Sequence, residues 1–126
     1  MTTLVLQVSG DAFNGPAQFT VDVNGQQIGG TYSTTAVHAQ GQWQAFTLVG
    51  DYGLNGPQTV AVNFINDAYG GTGQDRNFYV ASLSVDGQLY LGANAADNAS
   101  LGYTNPNAAI LLINGTVTFS PNPISS

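Results

Sequence analysis

The alternation in "FTVDVNG" constrains this chain most: Phe19, Val21 and Val23 point one way, while Thr20, Asp22 and Asn24 point the other. A period of two sets one face of a strand on a core and the other in water, and no helix has that period. "TVAVNF" repeats the rhythm. In "NFYVASLSV" the apolar residues Phe78, Val80, Leu83 and Val85 share a face only if a bulge falls near Ala81 and Ser82. Asn24-Gly25, Asp86-Gly87 and Asn114-Gly115 lie between apolar β-formers, and such pairs supply the positive φ angles of type I′ turns, so three tight hairpins are expected. Helical periodicity of useful length is absent, and "GANAADNAS" is expected to hold only a short turn. Eight or nine short strands separated by Gly, Pro and Asn predict an all-β fold, an antiparallel two-sheet sandwich.

"SGDAFNGPAQFTVDVN" and "VGDYGLNGPQTVAVNF" echo one another through Gly-Asp, Asn-Gly-Pro and alternating Val. Two copies do not make a solenoid, and they read as one strand-entry turn used twice. The length, 126 residues, suits one domain. Residues 1–120 are expected to form it, with 121–126 as a linker-like tail at the end of "SPNPISS".

The charges exclude some partners. Seven Asp, one Arg, one His and no Lys or Glu give a net charge of −6, so nucleic acid and anionic membranes, which need clustered Lys and Arg, are not expected partners. There is no cysteine, hence no disulfide and no Cys-ligated zinc. No apolar run approaches the ~20 residues of a membrane helix. "MTTLVLQVSG" lacks the basic start of a signal peptide, which suggests either an excised module with an added Met1 or export by a route without a cleaved leader.

Enzyme chemistry is poorly supplied. Every acid is a short Asp in a loop or on a strand exterior, with nothing to mark a glycosidase pair. No Ser lies in a Gly-x-Ser-x-Gly elbow for His38 to serve, and His38 reads as a strand-end residue. "NDAYGGTGQDRNFYV", Asn66 to Val80, is different, since it gathers the sole arginine and two of the seven aspartates into one glycine-rich loop. Calcium takes six to eight oxygens, mixes carboxylates with backbone carbonyls and tolerates irregular geometry. Asp67 and Asp75 would balance its charge, and the glycines between them let carbonyls turn inward. The same residues also fit a plain loop in which Asp67 caps a turn and Asp75 pairs with Arg76. "GGTGQDRNF" further matches a calcium-binding nonapeptide, with Asn77 where a large apolar residue belongs, but that motif holds ions between stacked copies and here it occurs once.

With "VAVNF" before it and "SLSVDGQLY" after it, this loop resembles the calcium-dependent, xylan-binding carbohydrate-binding modules of family 60, circularly permuted relatives of family 36. "GDAFNGPAQFTVDVNGQQIGG" and "LLINGTVTF" extend the likeness over nearly the whole chain. The resemblance implies a jelly-roll-type β-sandwich whose calcium ion is left under-coordinated, so that two vicinal sugar hydroxyls complete its sphere. It implies that Asp67 and Asp75 are the metal carboxylates, that Gln74 adds its backbone carbonyl and Asn66 a further ligand, and that Arg76 and Asn77 of "DRN" brace Asp75 and close the loop. Some members of the family carry a disulfide, which this chain cannot.

Among the aromatics, Tyr69 inside the loop and Tyr103 in "NASLGYTNPNAA" are the expected sugar platforms. Trp43, opening the strand "WQAFTLV", is expected in the core, and Phe13, Tyr32 and Tyr52 as packing or loop anchors. The function expected is non-catalytic, calcium-dependent binding of β-linked plant polysaccharide, with xylan foremost and galactan or cello-oligosaccharide (β-glucan) as options, by a monomeric module of a larger extracellular, secreted protein. The alternative is a structural or adhesive domain of a secreted protein, in which calcium stiffens the fold and touches no glycan.

Overall fold

The computed structural model describes residues 1–121. The tail expected at 121–126 lies outside the described residues except for Pro121, which is buried and whose carbonyl accepts the Tyr90 hydroxyl at 3.2 Å. The described residues form eleven strands: β1 (Thr2–Asp11), β2 (Gln18–Val23), β3 (Gln26–Ser33), β4 (Gln44–Gly50), β5 (Val60–Phe64), β6 (Ala68–Gly71), β7 (Gln74–Val85), β8 (Gln88–Leu91), β9 (Ala96–Asp97), β10 (Ala109–Leu111) and β11 (Gly115–Phe119). This exceeds the eight or nine expected because short strands such as β6, β9 and β10 carry too few residues to show a period.

The strands make two antiparallel sheets, as the alternation requires. One runs β10-β7-β1-β4 with β6 and β8 also paired to β7, and the other runs β3-β2-β5-β11-β9. Strand β7 organises the first sheet. One of its edges pairs with β1, while β6, β10 and β8 pair with its beginning, middle and end. Gln7 faces Ser82 and Val8 faces Val80, which leaves Ala81 as the expected bulge and turns Phe78, Val80, Leu83 and Val85 all into the core.

Between the sheets, Phe19 of β2 stacks on Phe78 of β7 with ring centroids 4.8 Å apart, and Phe64 lies 5.9 Å from Phe78. All three rings are fully buried, and each contributes about 1.5–3 kcal/mol relative to an exposed ring. Trp43 is not part of this core, contrary to expectation. Phe46 and Leu48 of β4 pack inward, so the alternation that buries them turns the odd-numbered positions, and Trp43 with them, toward solvent.

Two of the three expected hairpins are present. Asn24 and Gly25 (φ 52° and 82°) join β2 to β3, and Asp86 and Gly87 (φ 48° and 90°) join β7 to β8. The third expectation is corrected: Asn114-Gly115 leads from β10 in the first sheet to β11 in the second. Glycine is required there by close approach and not by a positive φ, since a Cβ at Gly115 would stand 2.5 Å from Asn98 Oδ1 and 2.7 Å from the Ala99 Cβ. The short turn expected in "GANAADNAS" is a 3-10 turn over Gly92–Asn94.

The sequence echo is an architectural repeat. Each copy is a strand of the first sheet, an arch across the gap, and a strand of the second: β1 to β2 through 12–17, and β4 to β5 through 51–59. Because β1 pairs antiparallel with β4, and β2 with β5, the two arches close opposite ends of the sandwich. The copies have diverged. Asp51 merely caps its own turn by accepting the Gly53 N–H at 3.1 Å, while Asp11 holds side chains of β7.

Candidate functional site

Strand alternation in β7 builds the site. Arg76, Phe78 and Val80 face the gap between the sheets, whereas Asp75, Asn77 and Tyr79 face outward. On β6, Tyr69 stands opposite Asp75, and Asp67 lies two residues before Tyr69, which brings Asp67, Tyr69 and Asp75 to one side of the β6–β7 hairpin. A cleft of about 600 Å³ opens there, lined by both aspartates, by Tyr69 and Tyr103, and by His38 and Tyr79 on another wall. Its remaining walls are largely aliphatic, from Leu101, Ile110, Leu112 and Ile113.

Two carboxylates share this cleft. Burial, and then the charge of Asp75, push the Asp67 carboxyl above its usual range, while the Ala68 N–H and Arg76 act weakly the other way. Asp67 Oδ1 and Asn77 Oδ1 are buried and accept no hydrogen bond among the described residues. A buried oxygen without a donor, beside a second acid, is the electrostatic condition that a cation relieves. No three His, Cys, Asp or Glu side chains converge among the described residues, so an ion here would draw on two carboxylates and on neutral oxygens. Such an all-oxygen, irregular set fits calcium and not zinc.

The frame behind the acids is tightly bonded. Asn114 Oδ1 accepts the Asp67 N–H at 2.7 Å and so fixes the backbone that carries the carboxylate. Asn114→Ala is expected to cost about 1 kcal/mol in urea unfolding, as a lost side chain to backbone bond does, and to weaken calcium binding in titration calorimetry. An unchanged calcium affinity would show that Asp67 is held by other means. Asp11 Oδ2 accepts both the Tyr79 hydroxyl at 2.6 Å and Asn77 Nδ2 at 3.1 Å. Burial first, and then the bond to Asp11, raise the Tyr79 hydroxyl well above a free phenol, so it remains a proton donor at any physiological pH.

One expected role is corrected, and a second residue is found to have structural partners. Arg76 does not brace Asp75, because neighbouring residues on a strand point to opposite faces. Its guanidinium instead donates to the carbonyls of Phe13, Asn14, Gly15 and Asn66, tying the first arch to the end of β5. Asn66 is likewise a brace: its amide oxygen accepts the Gln18 N–H at 2.8 Å, its NH2 donates to the Pro16 carbonyl at 3.0 Å, and its own carbonyl accepts Arg76. Both ends of that side chain are therefore engaged in main-chain hydrogen bonds.

Gln74 is exposed at the hairpin turn, opposite Gly71, and its side chain is not part of the cleft wall. Asn77 is buried beside Asp11. Tyr69 and Tyr103 are both about two-thirds exposed on the rim. His38 is where sequence reasoning fails outright. It occupies a 3-10 turn (His38–Gln40), not a strand end, and its ring stacks on Tyr79 with centroids 3.7 Å apart and planes 9° from parallel. Asp11, Tyr79, Asn114 and the aliphatic wall were also missed, and of these only Asp11 carried a signal, the repeated Gly-Asp.

Over residues 3–100 the chain matches the family described as "Ca-dependent carbohydrate-binding module xylan-binding", family 60. Tyr103 and the segment "LLINGTVTF" lie beyond the matched residues. The fold is similar to that of vCBM60 in its selenomethionine form, described with a circular permutation linking two families of calcium-dependent carbohydrate-binding modules: TM-score 0.67, 24% identity, 95% of this chain and 91% of the other covered. It is similar also to vCBM60 in complex with galactobiose: TM-score 0.67, 24% identity, 94% of this chain and 97% of the other. No curated protein matches the chain in sequence.

Proposed function

The chain belongs to the family of calcium-dependent, xylan-binding carbohydrate-binding modules, and from that membership we propose that the cleft of Asp67 and Asp75 is where it holds β-linked plant polysaccharide. One observation carries the assignment to this cleft: the buried, donorless Asp67 Oδ1 beside Asp75, in a hollow rimmed by exposed tyrosines. Calcium, when bound, supplies coordination positions that a vicinal diol can fill. Asp67 and Asp75 provide the anionic oxygens for the ion, with the Gln74 carbonyl as a further donor from the hairpin. Tyr69 and Tyr103 offer ring faces to the C–H surfaces of a pyranose, and Leu101, Ile110 and Ile113 supply an apolar wall that needs no polar partner from the sugar.

Apart from the ion, sugar recognition here rests on no salt bridge to the protein. The only arginine donates to four main-chain carbonyls behind the cleft and is not among its lining residues, so its guanidinium does not meet a uronic acid there. Neutral sugars with adjacent equatorial hydroxyls fit best. Xylan is the first choice from the family description, and β-galactan is the second, because the structurally similar vCBM60 is described in complex with galactobiose. The natural setting of such a ligand is outside the cell, on a secreted protein.

Titration of the calcium-loaded protein with xylohexaose and with β-1,4-galacto-oligosaccharides is expected to give saturable binding that EDTA abolishes and calcium restores. Binding that persists under EDTA would remove the ion from the mechanism. A calcium-raised melting temperature with no glycan bound would leave a structural ion only.

A further inference from the structure

The flank of the sandwich between β3 and β4 is unfinished. Each is an end strand of its sheet, and residues of both line a groove of about 520 Å³. Ile28, Tyr32, Phe46, Leu48 and Tyr52 pack against the core beside it and stay only partly covered. Apolar area left in water and a strand edge without a ladder partner thus meet on one flank, and a partner that brings both a strand and apolar side chains answers both.

The strand edges are guarded unequally. β6, β8, β9 and β10 have two to four residues each, too few to template another strand. β3 is longer, but its register with β2 breaks at Gly29 and Gly30, and Gly29 has φ 67°. β4 carries none of these devices. Its seven residues, Gln44–Gly50, include no charge and no proline, and they pair with β1 without a shift, from Val8↔Gln44 to Thr2↔Gly50. Thr47 and Val49 point outward from it and are exposed, Val49 by 58%. An edge that is long, regular and uncharged is one that pairs.

We propose that β4 is a homodimer edge, on which a second copy of this chain lays its own β4 antiparallel, about a twofold axis through Thr47. This register is the one that pairs all seven residues. Thr47 meets the second copy's Thr47 and Val49 meets Ala45 on the outer side, while Phe46 meets Leu48 on the inner side, where the half-covered row gains apolar neighbours. Charge selects a second copy here. A chain of net charge −6 meets its own kind most easily where carboxylates are sparse, and Asp51 is the one charged residue lining the groove. In this register Asp51 falls opposite Trp43 and about 27 Å along the strand from the other Asp51, several screening lengths away. Both copies keep the outer face of the first sheet on the same side, so the two clefts open together at opposite ends of the dimer, which is then bivalent toward a long polymer.

Sedimentation equilibrium of the wild type from about 10 µM to about 1 mM is expected to pass from the 13.0 kDa monomer toward twice that mass, since seven paired residues make a small interface of weak affinity. Thr47→Lys and Thr47→Asp should each stay monomeric at the upper concentration, because the axis sets the new charge against its own copy, and an equal mixture of the two should recover association at least as strong as wild type. The chain has no cysteine, so Thr47→Cys places a single thiol at the axis. Under mild oxidation it should form a disulfide-linked dimer at least about tenfold faster than Val49→Cys, whose two thiols stand about 13 Å apart in this register. All four variants change exposed positions, and wild-type-like melting at the lower concentration shows that each is folded. A wild type that stays at 13.0 kDa at about 1 mM would overturn the dimer. Association that survives either charge alone, a charge mixture that stays monomeric, or equal cross-linking from positions 47 and 49 would overturn this edge and its register. None of these outcomes involves calcium or sugar, so the dimer and the function of the cleft stand or fall separately.

Discussion

Arg76→Ala is expected to lower the unfolding free energy by about 4 kcal/mol, and the melting temperature by on the order of 10–15 °C. The side chain is only 9% exposed and donates to four main-chain carbonyls, at Phe13, Asn14, Gly15 and Asn66. A charge-assisted hydrogen bond contributes about 1.5–3 kcal/mol. The four are not additive, because truncation lets water reach the arch, so the total stays nearer two bonds than four. Arg76→Lys is expected to recover less than half of the loss, since one ammonium on a flexible stem cannot match a planar fork directed at four oxygens. Calcium affinity should fall in both variants, because Asn66 lies next to Asp67 and loses its anchor. Urea unfolding checks the first effect, and a loss below 1 kcal/mol would show that the arch stands without the guanidinium.

Asp67→Asn is expected to separate stability from function. Calcium affinity should fall at least a hundredfold and oligosaccharide binding should vanish from calorimetry, as a divalent cation loses one of two carboxylates. Asp75→Ala should do the same. The metal-free Asp67→Asn protein, by contrast, should be as stable as wild type or more so at neutral pH. Burial and the charge of Asp75 raise the folded pKa of Asp67 above its ordinary value, so folding disfavours its ionised form. Metal-free wild type therefore gains stability as pH falls through that raised pKa, and loses it as pH rises. Melting curves in EDTA across pH 4–8 should show this slope in wild type and a shallower one in Asp67→Asn. A variant less stable than wild type in EDTA at pH 7 would mean that Asp67 is structural and not strained by the missing cation.

Much of the fold was visible in the residues. A bulge near Ala81 and Ser82 followed from counting apolar positions, because only one extra residue could return Leu83 and Val85 to the face of Phe78 and Val80, and the pairing puts it at Ala81. The turns at Asn24-Gly25 and Asp86-Gly87 followed from backbone chemistry. Asn114-Gly115 failed because the same dipeptide also serves where two chains pass closely, and its neighbours Asn98 and Ala99 come from elsewhere in the chain. Trp43 was misplaced by trust in hydrophobicity, although the parity of Phe46 and Leu48 already pointed it outward.

Sequence by itself determined the strand faces, the loop that carries Asp67 and Asp75, and the oxygen-only donors on which the proposed calcium site rests, because period, turn chemistry and donor type are local properties of neighbouring residues. Tertiary structure alone decided which groups surround those acids. Arg76 turned away from Asp75 to clasp the first arch, Asn66 became a brace, and His38 came to lie on Tyr79 across 41 residues of chain. Such contacts depend on how the arches fold back over the two sheets, and no spacing along the chain records that distance.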